Sequence, residues 1–177
     1  RIVNDDGVRL ETVEHIMAAF AGLGVDNAIV DIDGGEAPIL DGSSLPVVEA
    51  INRTGITQLA ARRRVLVVTS PVSVEHAGGW AKIEPCGGLE IDAEIDFDDT
   101  AIGRQRFHYR HGNGSFIRDL AAARTFCMMR DVAAMQNAGL ALGGSLNNAV
   151  VVENGAILNE GGLRMEHEFV RHKILDC

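Results

Sequence analysis

Apolar and acidic residues alternate without a break along Leu89-Glu90-Ile91-Asp92-Ala93-Glu94-Ile95-Asp96-Phe97, the cleanest alternation in the chain. Because successive side chains of a strand point to opposite faces, this pattern predicts a strand with one face buried and the other in water. Residues 105–110 follow closely and are the expected pairing partner. The stretch therefore predicts an antiparallel sheet that is covered on one face only.

Further strand and helix patterns surround this sheet. Towards the N-terminus the sequence predicts a helix over 12–22, a strand over 27–33, a helix over 45–54, and strands over 65–68, 72–75 and 80–85. Towards the C-terminus it predicts helices over 115–122 and 132–137, a strand over 149–152 and a helix over 166–176. Strands come in runs with helices after them, which favours an α+β sandwich over a doubly wound sheet, and the pattern changes near Ala60.

Composition excludes several classes of protein. The 177 residues carry a net charge of −9, which argues against binding nucleic acid or anionic lipid headgroups. No apolar run approaches the roughly 18 residues of a membrane span, and no secretory signal opens the chain, so we expect a cytoplasmic protein without membrane insertion. The three cysteines include no C-x-x-C pair, and we expect free thiols.

Both ends of the chain interrupt a pattern. Arg1-Ile2-Val3 begins like the middle of a strand, and Cys177 comes while a helical pattern is still running. We therefore expect a fragment that lacks both termini.

Two distant segments offer metal ligands. His172 and Asp176 lie four residues apart in a helical pattern and share one helix face, while Glu14 and His15 lie near the start of another. Two imidazoles and a carboxylate form the ligand set of a catalytic zinc site. Adjacent helical residues diverge by about 100°, so His15 suits a ligand and Glu14 a nearby base.

A simpler interpretation exists for each half of this site. His172 and Asp176 also fit a surface polar pair, and Glu14 fits a first-turn carboxylate that the helix dipole stabilises, with His15 at the edge of the core. The residue types alone leave both interpretations open.

The other histidines are not predicted as ligands. Val74-Glu75-His76 repeats the letters of Val13-Glu14-His15 but falls between strands, at the tip of a predicted hairpin. His108, His111 and His167 are interpreted as strand or surface residues.

Several segments, in order and over nearly the whole chain, together resemble the zinc-dependent UDP-3-O-acyl-N-acetylglucosamine deacetylases of bacterial lipid A synthesis. They are Thr12-Val13-Glu14-His15, Pro38-Ile39-Leu40-Asp41-Gly42-Ser43, Ala123-Arg124-Thr125-Phe126, Met129-Arg130-Asp131, Leu142-Gly143-Gly144-Ser145-Leu146, Leu158-Asn159-Glu160 and Phe169-Val170-Arg171-His172-Lys173-Ile174-Leu175-Asp176.

The resemblance implies a fold of two facing α/β sandwich domains with mostly antiparallel sheets, of the type found in domain 2 of ribosomal protein S5. The first would span residues 1–60 and the second residues 61–177, with an insert near 126–150 that forms an acyl-chain passage. Each domain would be truncated at one end.

The resemblance also implies the roles of individual residues. His15, His172 and Asp176 would ligate zinc, or Fe²⁺ in its place, with Glu14 as general base and Thr125 helping to hold the oxyanion. The residues expected to contact or lie near the substrate are Lys173, Asp131, Phe126, Met128, Val132, Leu140, Ser145 and Val151.

The implied reaction is hydrolysis of the acetamide of UDP-3-O-(3-hydroxyacyl)-N-acetylglucosamine to the free amine and acetate, the committed step of lipid A biosynthesis. We expect a monomeric enzyme. The family's C-terminal catalytic histidine is absent from this chain, so we expect residues 1–177 alone to be nearly inactive. Cys127 and Met128 also replace the glycine and phenylalanine that are usual in the family.

The main alternative is a non-catalytic module of the same fold that binds lipid or sugar nucleotide, and another metallohydrolase ranks third.

Overall fold

A computed structural model describes residues 1–137 and 143–177 of the chain. The helices are α1 (Glu14–Leu23), α2 (Leu45–Thr54), α3 (Ser115–Asp119), α4 (Met129–Asn137) and α5 (Glu168–Leu175). The strands are β1 (Ile2–Val3), β2 (Arg9–Leu10), β3 (Val72–His76), β4 (Gly79–Ile83), β5 (Glu90–Asp96), β6 (Arg104–Arg110), β7 (Phe126–Met128), β8 (Val150–Glu153) and β9 (Ala156–Ile157). They form three antiparallel pairs, β1–β2, β3–β4 and β5–β6, and a sheet in which β8 runs parallel to β7 and antiparallel to β9.

The β5–β6 pair confirms the expectation from the alternating stretch. Glu90 lies opposite Arg110 and Asp96 opposite Arg104, in an unbroken antiparallel register. The outward face carries ion pairs such as that between Arg106 and Asp92, whereas Ile91 packs against the core. One face is therefore wet and the other is covered, as predicted for this α+β fold.

Helix α5 lies between two apolar clusters and contributes to both. Ile174 packs with a first cluster composed of Ala19, Val48, Tyr109, Phe116, Leu120 and Ala121. Phe169 packs with a second cluster composed of Ile102, Met128, Val150 and Val152. The first cluster joins α1 and α2 to the β5–β6 sheet, so residues from both sides of Ala60 share one core.

Two predicted strands do not form. Residues 27–33 and 65–68 have no strand partner within the described ranges 1–137 and 143–177. Ile29 and Leu66 are almost wholly exposed. An apolar run becomes a strand only when a neighbouring strand takes up its backbone hydrogen bonds, and periodicity does not report that neighbour.

Helix α1 begins two residues later than predicted. Thr12 has a left-handed backbone with φ of 53°, which lies outside the helical region, and its hydroxyl donates to Glu36 Oε1. Helix α3 likewise stops at Asp119, short of the predicted residue 122. No helix in the described part of the chain has the length and apolar character needed to cross a membrane.

Candidate metal centre

Helices α1 and α5 bring His15, His172 and Asp176 together. One potential ligand atom from each residue lies within 4.8 Å of those of the other two. The two imidazole rings meet edge to face with centroids 5.2 Å apart, and His172 Nε2 lies 3.4 Å from Asp176 Oδ1. The three predicted ligands, from opposite ends of the sequence, therefore converge on one small volume.

The backbone of Ala123 fixes the tautomer of His172. His172 Nδ1 lies 2.9 Å from the carbonyl oxygen of Ala123. A carbonyl can only accept a hydrogen bond, so Nδ1 carries the proton and donates it. The lone pair of the neutral ring then resides on Nε2, which faces Asp176.

The cluster has the properties of a cation site. His15 is only 4% exposed, and its Nδ1 is buried without a hydrogen-bond partner among residues 1–137 and 143–177. A lone pair on His172 Nε2 that faces a carboxylate oxygen is also unfavourable without a cation between them. The residues present therefore fit a divalent metal ion.

Burial sets the protonation of both imidazoles. Loss of contact with water lowers the pKa of His172 to about 4, although the Asp176 carboxylate acts in the opposite direction. Burial also lowers the pKa of His15, against the influence of Glu14. Both rings are consequently neutral near pH 7, which is the form that binds metals.

The start of α1 is held from two sides. The backbone amide of Glu11 donates to the carbonyl oxygen of Gly35, and the Thr12 hydroxyl donates to Glu36. Beyond this turn, the buried hydroxyl of Ser44 donates to the carbonyl oxygen of His15 at 2.8 Å. These contacts place the half-buried Glu14 in the first turn of α1, directly before His15.

Thr125 is held by its backbone. Its amide donates to the Gly42 carbonyl oxygen, and its carbonyl oxygen accepts from the Val150 amide, both at 2.8 Å. The segment Pro38–Ser44 thus lies against the start of β7. This contact connects the two sequence segments that contain Asp41 and Thr125.

Lys173 and Phe126 lie beside the cluster. Lys173 Nζ donates to Asp176 Oδ2 at 3.0 Å and lies 5.3 Å from the centroid of the Phe126 ring. Phe126 packs edge to face on Phe169, with centroids 4.9 Å apart. A half-exposed ammonium group therefore borders the ligands on the solvent side.

The other predicted substrate residues are more scattered. Met128 and Val151 are buried in β7 and β8, and Val132 is partly buried on α4. Asp131 is exposed on α4, within 4.0 Å of Arg130, and Ser145 is exposed in a turn. Leu140 lies outside the described residues.

Two further expectations concern the cysteines and His76. Cys86, Cys127 and Cys177 are free thiols, as expected. His76 is exposed on β3, in keeping with its interpretation as a look-alike of His15.

Sequence reasoning missed the ionic contact between Arg124 and Glu168. Both side chains are buried, and Arg124 Nε lies 2.8 Å from Glu168 Oε1. The available signal was a glutamate one turn before His172, on the same side of the helix. The sequence did not identify which arginine pairs with this glutamate, because the chain contains many arginines.

The sequence is similar along its whole length to one family. A family model described as UDP-3-O-acyl N-acetylglycosamine deacetylase matches residues 1–177. The curated UDP-3-O-acyl-N-acetylglucosamine deacetylase of Shewanella piezotolerans is 46% identical over 178 residues, which cover 99% of this chain and 58% of that protein. The protein of the same name from Nitrosococcus oceani is 48% identical, over 97% of this chain and 57% of the relative. The chain therefore spans a little under three fifths of the length of these relatives.

Proposed function

The chain belongs to the UDP-3-O-acyl N-acetylglycosamine deacetylase family, and from that premise we propose that it supplies the metal centre for hydrolysis of a sugar-nucleotide acetamide. The substrate is UDP-3-O-(3-hydroxyacyl)-N-acetylglucosamine, and the products are acetate and the free amine, in the committed step of lipid A biosynthesis. The observation that carries this proposal is the convergence of His15, His172 and Asp176 beside Glu14.

His15, His172 and Asp176 would hold the metal ion. Two neutral imidazoles and one carboxylate suit Zn²⁺, and they also suit Fe²⁺ as a substitute. When bound, the ion supplies a Lewis acid and lowers the pKa of a water molecule at this position towards about 7.

Glu14 would take the proton from the attacking water. Its position directly before His15 puts a carboxylate beside the ligands without using it as one of them. The Thr125 hydroxyl would donate to the oxygen that becomes negative as the acetamide carbon turns tetrahedral. Lys173 supplies a partly exposed cation next to Asp176 and would bind the anionic sugar nucleotide.

An apolar surface would take the acyl chain. Val151 and its pairing partner Cys127 lie on one face of the β7–β8 sheet, whereas Met128 lies on the opposite face, in the second apolar cluster. The residues proposed for substrate contact are Phe126, Met128, Asp131, Val132, Leu140, Ser145 and Val151. They lie in the proposed insert near 126–150 or next to it, within a second domain of residues 61–177 that follows a first domain of residues 1–60.

The test is Glu14→Gln in the full-length enzyme, with Glu75→Gln as its matched control. Both glutamates precede a histidine in the same three-letter context, but Glu75 lies on an exposed strand. We expect Glu14→Gln to lower kcat by about 10²–10⁴-fold while metal content stays unchanged, since general-base catalysis contributes that factor. Glu75→Gln should change neither quantity.

Two outcomes would contradict the proposal. Full deacetylation activity in Glu14→Gln would show that Glu14 is not the general base. A full-length protein that binds the acylated sugar nucleotide without ever releasing acetate would favour a binding module. A monomeric cytoplasmic enzyme remains part of the proposal, and size-exclusion chromatography with light scattering tests its oligomeric state.

A further inference from the structure

The Glu168 carboxylate is fully buried and accepts four hydrogen bonds. Oε1 accepts from the Arg124 amide at 3.0 Å and from Arg124 Nε at 2.8 Å. Oε2 accepts from Arg124 Nη2 at 3.1 Å and from the Arg164 amide at 2.7 Å. One side chain of α5 therefore satisfies two backbone amides and the arginine that neutralises it.

The stability of the fold does not by itself account for a buried ion pair of this kind. Desolvation of two charges offsets much of their attraction, and apolar residues of similar size often serve a core equally well. The pair also lies next to the segment that contacts His172, and that position indicates a second role.

Arg124 lies between the two residues that connect this segment to the site. Ala123 on one side accepts the hydrogen bond from His172 Nδ1, and Thr125 on the other side starts the connection into β7. Glu168 lies one helical turn before His172 on α5. The contacts from Arg124 to Glu168 and from His172 to Ala123 are thus successive links between the same two segments.

A second branch extends this network to the Pro38–Ser44 segment. Arg164, whose amide binds Glu168, donates through Nη1 to Asp41 Oδ2 at 2.8 Å. In the same segment the Gly42 carbonyl oxygen accepts from the Thr125 amide. The Glu168 carboxylate therefore supports the segment containing Thr125 from both sides.

We propose that Glu168 and Arg124 are positioning residues that hold the Ala123 carbonyl against His172 Nδ1 and so present His172 Nε2 to the metal ion. This inference rests on the proposed function and deepens it. Both side chains are buried, and neither belongs to the group of three converging ligands. Their effect passes through the tautomer and orientation of one ligand, and such outer contacts typically change metal affinity by about 10–100-fold.

The experiment uses Glu168→Gln in the full-length protein. Glutamine keeps the shape of the side chain, but its amide nitrogen donates and cannot accept from Arg124 or Arg164. The control is Asp92→Asn, which removes an exposed ion pair with Arg106 on the wet face of β5–β6. Two readouts are needed: the imidazole ¹⁵N shifts of His172 in metal-free protein at about pH 8, and the affinity and visible spectrum of bound Co²⁺.

We expect wild type and Asp92→Asn to show one His172 tautomer, protonated at Nδ1, and the same Co²⁺ affinity. Glu168→Gln should show a mixture of tautomers, a changed Co²⁺ spectrum and affinity about 10–100-fold weaker. A folded Glu168→Gln protein with the wild-type tautomer and affinity would overturn the inference.

A second variant covers a failure to fold. Arg124→Lys keeps both charges but loses the forked contact with Glu168, so it is expected to shift the same two readouts in the same direction. If neither variant folds, the pair determines folding and the positioning role is wrong. If wild type binds no Co²⁺, the proposed function fails, whereas the tautomer measurement in metal-free protein still decides the role of Glu168.

Discussion

The carbonyl oxygen of Gly42 accepts a hydrogen bond from the amide of Thr125 at 2.8 Å. Gly42 also lies against Asn148, so that a Cβ atom on Gly42 would overlap the Asn148 carbonyl oxygen, and Gly42 has a φ of +83°. Glycine is required here both by space and by backbone conformation.

Gly42→Ala should therefore destabilise the protein and weaken catalysis together. We expect a loss of about 2–4 kcal/mol in the free energy of unfolding, because the backbone must shift to relieve the contact and the left-handed conformation. Gly34→Ala is the control, since nothing lies within 4 Å of its added Cβ. Urea unfolding measures the free energy of unfolding of both variants, and equal stability of the two would show that the contact at Gly42 is not tight.

Removal of a metal ligand should empty the metal centre. His172→Ala and Asp176→Ala in the full-length protein should each reduce bound metal from about one equivalent to nearly none, because a two-ligand site holds the ion poorly. His76→Ala removes an exposed histidine and is the control. Elemental analysis after dialysis measures the content, and unchanged stoichiometry in His172→Ala would refute the ligand assignment.

The buried histidines predict how the stability of the metal-free protein depends on pH. Burial lowers the pKa of His172 to about 4, from 6.5 in an unfolded chain. Between these values the unfolded state binds more protons than the folded state, so stability falls as pH falls. The stabilisation that comes from keeping His172 neutral is complete above pH 6.5, and it should decline by up to about 3 kcal/mol as the pH approaches 4.

The comparison for this pH effect is His172→Asn. Urea unfolding of the chelated protein at about pH 7 and pH 5 should show a smaller difference in the variant than in wild type, since one titrating ring is gone. A variant with the full wild-type pH dependence would mean that other groups cause the effect.

The cysteines should differ in reactivity. Burial, and next the Asp131 carboxylate, raise the pKa of the half-buried Cys127 thiol, whereas Cys86 is exposed. Because the thiolate is the nucleophile, iodoacetamide should alkylate Cys86 at least about 10-fold faster than Cys127. Mass spectrometry of peptides over time measures both rates, and faster labelling of Cys127 would contradict its burial beside Met128.

The sequence determined the features that depend on local periodicity. The alternation over residues 89–97 predicted β5 and its wet face, and the pattern over residues 45–54 predicted α2 at its observed bounds. The spacing of His172 and Asp176 also predicted that both lie on the same side, where the structure has the last turn of α5 and its C-terminal cap. These features follow from the 2-residue and 3.6-residue periods, which every strand and helix imposes on its own side chains.

Only the tertiary structure decided which distant groups meet. Among the residues that the structure describes, it gave 27–33 and 65–68 no strand partner, and it paired Arg124 with Glu168 across 44 positions of sequence. It also gave His172 Nδ1 the carbonyl of Ala123, which leaves Nε2 free to face Asp176 and His15. Local sequence specifies which face a side chain takes, but burial and hydrogen-bond partners come from segments that the chain's path brings together.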